Sequence, residues 1–171
     1  MSLSLQVLRI HEEEGQHVVF DEGNEEMAIE TQRDTELTMF FKLNEYNNKA
    51  KDADDGQYEG HIYDPDLETL RYVDMPTKYT YDKKAKKWKA RDKKRKCDTL
   101  GRVDNVHPSA GDRFYLRLLL NSDQCKTCES FEMLRTVPKT EEKPPCDSYQ
   151  EACRELGLLR LSRELLRYLL S

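Results

Sequence analysis

The residues with the clearest chemical potential form a basic and aromatic block between Lys78 and Lys96. This block contains nine lysines and two arginines against two aspartates, a net charge of +9 over 19 residues. Tyr79, Tyr81 and Trp88 lie within it. Basic side chains release condensed counterions when they neutralise phosphates, and aromatic rings stack on exposed bases. The combination predicts a nucleic-acid contact; the alternative is a solvated hairpin whose lysines serve solubility.

We expect the DNA contacts to come from the centre and the C-terminal part of this block. Alternating residues predict a hairpin over residues 77–96, with strands at 77–81 and 88–91 around a turn at 83–86. Its lysines and arginines would touch the DNA backbone, and one base could stack on its tryptophan. The predicted contacts are Lys83, Lys84, Lys86, Lys87, Trp88, Lys89, Arg91, Lys93, Lys94, Arg95 and Lys96.

The cysteines offer a second kind of chemistry. Cys125 and Cys128 form a CxxC pair, which could supply half of a zinc site. The remaining ligands would be Cys97, Cys146 or His107, all at irregular spacings. The five cysteines make an odd number, and no signal peptide is visible, which favours free thiols in a reducing compartment. We therefore predict unligated cysteines, with zinc as the alternative.

Catalytic motifs are missing from the sequence. None of the seven glycines is followed by lysine, so the chain has no phosphate-binding loop of the Walker A type. The four histidines form neither a His-x-His pair nor an HExxH motif, and no GxSxG turn occurs. These patterns indicate a binding or connecting domain that binds no cofactor and is not an enzyme on its own.

Charge is sorted along the 171-residue chain. The overall net charge is −5, but residues 11–74 carry 19 acids and five basic residues, a net charge of −14. Charged residues make up 36% of the chain and hydrophobic residues 37%, so a single domain with a thin core is expected. No apolar run reaches the roughly 18 residues of a spanning helix, which excludes a membrane protein.

Local patterns predict an α+β fold with two β-hairpins, one further strand and four to five helices. The first hairpin is expected at residues 6–10 and 17–20, followed by a short helix at 24–30. Thr35 should cap the next helix, and an acidic insertion at 47–66 is expected to be a loop over residues 47–60. A strand is predicted at residues 100–106.

The C-terminal third is predicted to be helical. Ser109 should cap a helix that begins near residue 110, and residues 130–137 should form a short helix or a turn. Ser148 should cap a helix that ends before Gly157. The amphipathic tail at residues 160–171 continues a leucine-rich stripe. The stripe either packs on the core or meets a partner.

Six segments, read in order, resemble one protein family. They are VLRIH with VVFDEGNEEM (residues 7–11 and 18–27), TELTMFFKL (35–43), MPTKYTYDKKAKKWKAR (75–91), LGRVDNVHPSAGDRFYLRLLLN (100–121), SFEMLRTV (130–137) and SYQEACRELGLL (148–159). Together they resemble the Helitron-type Rep-helicase proteins of rolling-circle transposons, whose helicase is PIF1-like. The similar stretch covers residues 5–159. The acidic insertion departs from the family, in which this connection is usually short.

The resemblance implies a fragment of a larger enzyme. In the family this segment connects an endonuclease with an HUH metal site to an ATP- and magnesium-dependent DNA helicase. The chain would then be a non-catalytic, nuclear connecting domain, active in DNA recombination and repair. Its partners would be single-stranded DNA and the rest of the polypeptide, with no membrane. The alternative is an interaction module or a degenerate transposon-derived protein without DNA activity, in which the acidic half neutralises the hairpin.

Overall fold

The computed structural model describes residues 3–13, 34–92, 98–139 and 142–160 of the chain. Helices and small sheets combine in this part of the chain, which confirms the predicted α+β class. The strands are β1 (Leu3–Leu8), β2 (Gln57–Tyr58), β3 (His61–Ile62), β4 (Tyr79–Asp82), β5 (Lys87–Ala90) and β6 (Asp98–Val103). The helices are α1 (Glu36–Asp52), α2 (Met75–Lys78), α3 (Asp112–Leu120), α4 (Phe131–Arg135) and α5 (Tyr149–Glu155). Short 3₁₀ turns occur at Pro65–Thr69, Tyr72–Asp74, Pro108–Ala110 and Asp123–Cys125.

Strands β1 and β6 form a parallel pair although about 95 residues separate them. Leu8 pairs with Val103, and both side chains are buried in the core. The opposite face of the pair is exposed to solvent; Leu3, for example, keeps 68% of its surface accessible. Parallel strands are usually covered on both faces, so this uncovered face is unusual.

The predicted first hairpin is only partly within the described residues. Its first arm overlaps β1, which pairs with β6 within the described residues. The predicted second arm at 17–20 and the predicted helix at 24–30 lie outside the described residues. The predicted strand at 100–106 is observed as β6, shifted toward the N-terminus.

Gly101 allows β6 to approach the backbone of the 3₁₀ turn at Tyr72–Asp74. A Cβ atom at this position would lie 1.9 Å from the carbonyl oxygen of Val73. No real Cβ atom approaches a backbone oxygen so closely, so only glycine fits without a shift of the backbone. The turn leads directly into α2 and the second hairpin. This contact therefore links the position of the hairpin to that of the parallel sheet.

Helix α1 begins as predicted and ends later than predicted. The Thr35 hydroxyl accepts a hydrogen bond from the backbone N–H of Thr38, which caps the helix. Its side chains Leu37, Phe40 and Phe41 are buried. The helix continues to Asp52, so the prediction of a loop beginning at residue 47 is wrong for residues 47–52.

Two buried amides explain this extension. Asn44 donates from Nδ2 to the carbonyl oxygen of Cys128 at 2.9 Å. Asn47 binds the backbone of Asp64 twice, since its Nδ2 donates to the carbonyl oxygen at 3.0 Å and its Oδ1 accepts from the N–H at 2.8 Å. Buried polar groups need such partners, and these partners are distant in sequence. The rest of the acidic insertion is folded onto α1, partly as the β2–β3 hairpin.

Serine caps begin two C-terminal helices, α4 and α5, and the cap at Ser148 confirms the prediction. Ser130 accepts from the N–H of Met133 and Ser148 accepts from the N–H of Glu151. Gly157 follows α5 with a φ of 73°, the left-handed conformation that a C′ glycine supplies.

The cap predicted at Ser109 is wrong. A 3₁₀ turn comes first, and α3 begins only at Asp112 with Gly111 at its N-cap. The His107 ring accepts a hydrogen bond from the N–H of Ser109 at 3.2 Å and thereby caps the 3₁₀ turn. A proline directly after His107 starts that turn, because its fixed φ suits a first helical position.

The core lies between α1, the parallel strand pair and the C-terminal helices. Phe40, Tyr72, Leu116, Leu120 and Leu134 are fully buried there. Within the part of the chain that the structure describes, no helix has the length and apolar character to cross a membrane. Residues 161–171, most of the predicted tail, lie outside the described residues.

Candidate nucleic-acid interface

The predicted second hairpin is present. Strands β4 and β5 pair antiparallel, with Asp82 opposite Lys87 and Tyr81 opposite Trp88. A four-residue turn, residues 83–86, joins them. At its end Lys86 adopts a φ of 49°, a left-handed conformation that is uncommon for a residue with a side chain.

Asp82 organises the turn. Its Oδ1 accepts hydrogen bonds from the backbone N–H groups of Lys84 and Ala85 at 2.9 and 3.0 Å. Its Oδ2 accepts from Lys89 Nζ at 2.6 Å. These hydrogen bonds lower the pKa of Asp82 to about 2, and the bond from the Ala85 N–H has the largest effect. The one acid of the hairpin is therefore ionised at neutral pH and occupied with the turn and with Lys89.

Four lysines remain at the hairpin tip. Lys83, Lys84, Lys86 and Lys87 are all exposed. Among the described residues, none of the four makes a salt bridge. Four like charges within five positions of a structured turn give a concentrated positive potential. We call these four residues the lysine tip.

Two other residues from the predicted set of DNA contacts, Lys89 and Arg91, form bonds within the protein. Lys89 is paired with Asp82 across the strands. Arg91 donates from Nε to the carbonyl oxygens of Pro76 and Tyr79, at 2.7 and 3.2 Å. Arg91 is half-buried, and it holds the base of the hairpin against α2. Lys93, Lys94, Arg95 and Lys96 lie outside the described residues.

Trp88 is in the core, which corrects its predicted role in stacking on a base. It keeps only 6% of its surface accessible, and its Nε1–H donates to the carbonyl oxygen of Glu36 at 2.9 Å. The Tyr81 ring packs on it with 5.3 Å between the ring centroids. A base cannot stack on a tryptophan whose surface is already covered. Trp88 anchors the hairpin to α1 instead.

A cleft of about 710 Å³ lies beside the hairpin. The hairpin contributes Tyr81, Lys83 and Lys86 to its lining. The rest of the lining comes from β1 and the residues that follow it, from the start of α1 and from the residue after β6. These lining residues are Val7, Arg9, Ile10, His11, Asp34, Thr35, Glu36 and Asp104.

The carboxylates of the cleft differ in their surroundings. Glu36 is partly buried, and its Oε2 accepts a long hydrogen bond of 3.4 Å from the backbone N–H of Arg9. Burial raises the pKa of Glu36, while that hydrogen bond and the charge of Lys83 act in the opposite direction. Asp104 lies 3.8 Å from the guanidinium of Arg113. The cleft thus combines an aromatic wall, two lysines of the tip and two half-buried carboxylates.

The cysteines of the CxxC pair are used for packing. Cys125 donates from Sγ to the carbonyl oxygens of Leu120 and Ser122, at 3.2 and 3.3 Å. Cys128 donates to the carbonyl oxygen of Gln124 at 3.0 Å. Burial raises the pKa of the Cys125 thiol to about 12 and raises that of Cys128. The described residues contain no group of three histidine, cysteine or acidic side chains placed to hold a metal ion.

Sequence reasoning found the lysine tip but missed the cleft. Tyr81 and Trp88 alternate with lysines and threonine along their strands, and this alternation could have shown that both rings face inward. Arg9, Glu36 and Asp104 come from three distant parts of the chain, and no local signal unites them.

The chain has no match among models of known protein families or among curated proteins. The resemblance to Helitron-type proteins therefore stays a prediction that rests on the six segments quoted above.

Proposed function

We propose that this chain is a non-catalytic, DNA-contacting segment of a larger Helitron-like protein with a PIF1-type, ATP-dependent helicase. In this proposal the chain contacts single-stranded DNA and connects the nuclease and helicase parts of a nuclear protein. The lysine tip is the observation that carries the DNA contact. The connecting role rests on the resemblance of the six segments.

The geometry of the tip favours phosphate binding over a role in solubility alone. The position of the tip is fixed by the strands that carry it, since Trp88 bonds the hairpin to α1 and Arg91 bonds it to α2. Asp82, the acid nearest the tip in the chain, is already bonded to Lys89 and to the turn. A preorganised cluster of cations loses little conformational entropy on binding a polyanion. Each phosphate that it neutralises releases condensed counterions.

Fluorescence anisotropy with a labelled single-stranded oligonucleotide tests the proposal, at about 50 mM and about 200 mM salt. The key variant changes all four lysines of the tip to glutamine. For a single strand, each phosphate contact contributes about 0.7 to the slope of log Kobs against log salt. The variant should bind far more weakly at low salt, and its slope should be smaller by up to about 3.

A matched control removes the same charge elsewhere. It changes four exposed basic residues to glutamine, all without a salt bridge among the described residues: Lys42, Arg102, Arg154 and Arg160. This variant should keep most of the affinity and most of the salt slope. If wild type does not bind at low salt, or if both variants lose affinity equally, the proposed contact is wrong.

A further inference from the structure

We propose that the cleft beside the hairpin binds one unstacked base of single-stranded DNA and prefers a base whose Watson–Crick edge presents an amino group. This inference rests on the proposed DNA contact and deepens it, because it assigns a second part of the surface to the bases. The base contact that the sequence predicted at Trp88 is assigned instead to this cleft, which is accessible in the structure.

The cleft and the lysine tip form a continuous surface. Lys83 and Lys86 belong to both, since they are in the turn and also line the cleft. A strand whose phosphates lie on these lysines would hold its bases within reach of the cleft. The volume of about 710 Å³ is large enough for a single nucleotide.

Tyr81 gives the cleft an aromatic wall. Its ring packs on Trp88, so its position is fixed before any ligand arrives. Unlike Trp88, Tyr81 is only partly buried, and it lines the cleft directly. An aromatic ring at such a wall stabilises a base by stacking, with little dependence on the kind of base.

The carboxylates supply the preference for an amino group. Among the described residues, the Glu36 side chain accepts only the long hydrogen bond from Arg9, so these residues leave most of its acceptor capacity unused. Asp104 is held near Arg113 at 3.8 Å, beyond hydrogen-bonding distance. An ionised carboxylate only accepts hydrogen bonds, and it matches the amino group of cytosine. Thymine presents a carbonyl oxygen at the equivalent position and would repel the carboxylate.

A comparison of the affinities for two oligonucleotides tests this proposal on the full chain. Oligo(dC) and oligo(dT), each about 12 nucleotides long, are compared by anisotropy at neutral pH and low salt. Wild type should bind oligo(dC) at least about fivefold more tightly. The Glu36→Ala variant should lose most of this ratio by weakening the binding of oligo(dC), with little loss for oligo(dT).

Two aromatic variants test the wall. Tyr81→Leu should weaken the binding of both oligonucleotides several-fold, and Tyr81→Phe should bind like wild type because it keeps the ring. Circular dichroism and thermal unfolding confirm that each variant is folded. Loss of affinity in Tyr81→Phe equal to that in Tyr81→Leu would contradict stacking.

The two proposals fail in different ways. Equal affinity for oligo(dC) and oligo(dT), together with weaker binding when the tip is neutralised, would overturn the base-binding cleft and leave the phosphate contact standing. Failure of wild type to bind either oligonucleotide at low salt would overturn the phosphate contact and, with it, the cleft proposal that rests on it.

Discussion

The indole Nε1–H of Trp88 donates a 2.9 Å hydrogen bond to the backbone carbonyl oxygen of Glu36. This bond joins the basic hairpin to the first turn of α1, where the cleft begins. The hairpin is thus fixed by the core of the protein and does not depend on a ligand for its position.

The burial of Trp88 can be tested directly, because it is the single tryptophan of the chain. We expect a blue-shifted emission that iodide quenches weakly, and little change when saturating single-stranded DNA is added. Strong quenching by DNA would mean that a base reaches the indole. Trp88→Phe keeps an aromatic ring and loses the hydrogen bond, so it should lower the free energy of unfolding by about 1–3 kcal/mol. Trp88→Ala should cost more, about 3–5 kcal/mol.

A substitution at Lys86 should lower the affinity for DNA without lowering the stability of the fold. Its left-handed φ of 49° suits glycine better than lysine. In Lys86→Gly, we expect the free energy of unfolding to stay the same or to rise by up to about 1 kcal/mol. Affinity for DNA should fall because one charge of the tip is lost. The matched control is Lys84→Gly, which should lower both the affinity and the stability. A clear loss of stability in Lys86→Gly, measured by urea unfolding, would contradict the observed turn.

Gly101 tests the contact between the parallel sheet and the turn that leads to the hairpin. In Gly101→Ala the new Cβ would collide with the carbonyl oxygen of Val73, at 1.9 Å in the present geometry. We expect the free energy of unfolding to fall by about 1–3 kcal/mol or more. The neighbouring exposed residue gives the control, since Arg102→Ala should change stability by no more than about 0.5 kcal/mol. Equal stability of the two variants would show that β6 does not approach the turn so closely.

The raised pKa of Glu36 predicts that the stability of the fold depends on pH. Burial is the main cause that raises its pKa above the ordinary value of 4.5 in the folded state. The folded state therefore holds this proton more tightly than the unfolded state does. The resulting stabilisation is fully present below about pH 4.5 and is lost as the pH rises through the raised pKa. Glu36→Gln has no such proton, so wild type should lose stability relative to the variant as the pH rises from about 4.5 through the raised pKa of Glu36. A difference that stays constant with pH, measured by urea unfolding, would contradict the raised pKa.

Local chemistry made much of this fold predictable. Thr35 and Ser148 cap helices as predicted, because a cap depends on only a few adjacent residues. The β4–β5 hairpin was predictable for the same reason, since its turn and its alternating strands are contiguous.

The errors arose where distant residues decide the structure. The C-terminal part of α1 has few apolar side chains, and it is stabilised by bonds from Asn44 and Asn47 to residues far along the chain. The pairing of β1 with β6 spans about 95 residues and leaves no local signature. The cleft depends on both, because β1, α1 and β6 all contribute to its wall.

Helix α1 also separates charge. Its 17 residues span about 25 Å, with the lysine tip beside its first turn and the exposed Asp52, Asp54 and Asp55 at its far end. That distance is about three Debye lengths at physiological ionic strength, so these aspartates screen the tip very little. The lysine tip and these aspartates thus place opposite charges about 25 Å apart. A polyanion attracts one end and repels the other, so the domain should turn its hairpin toward DNA before any contact is made.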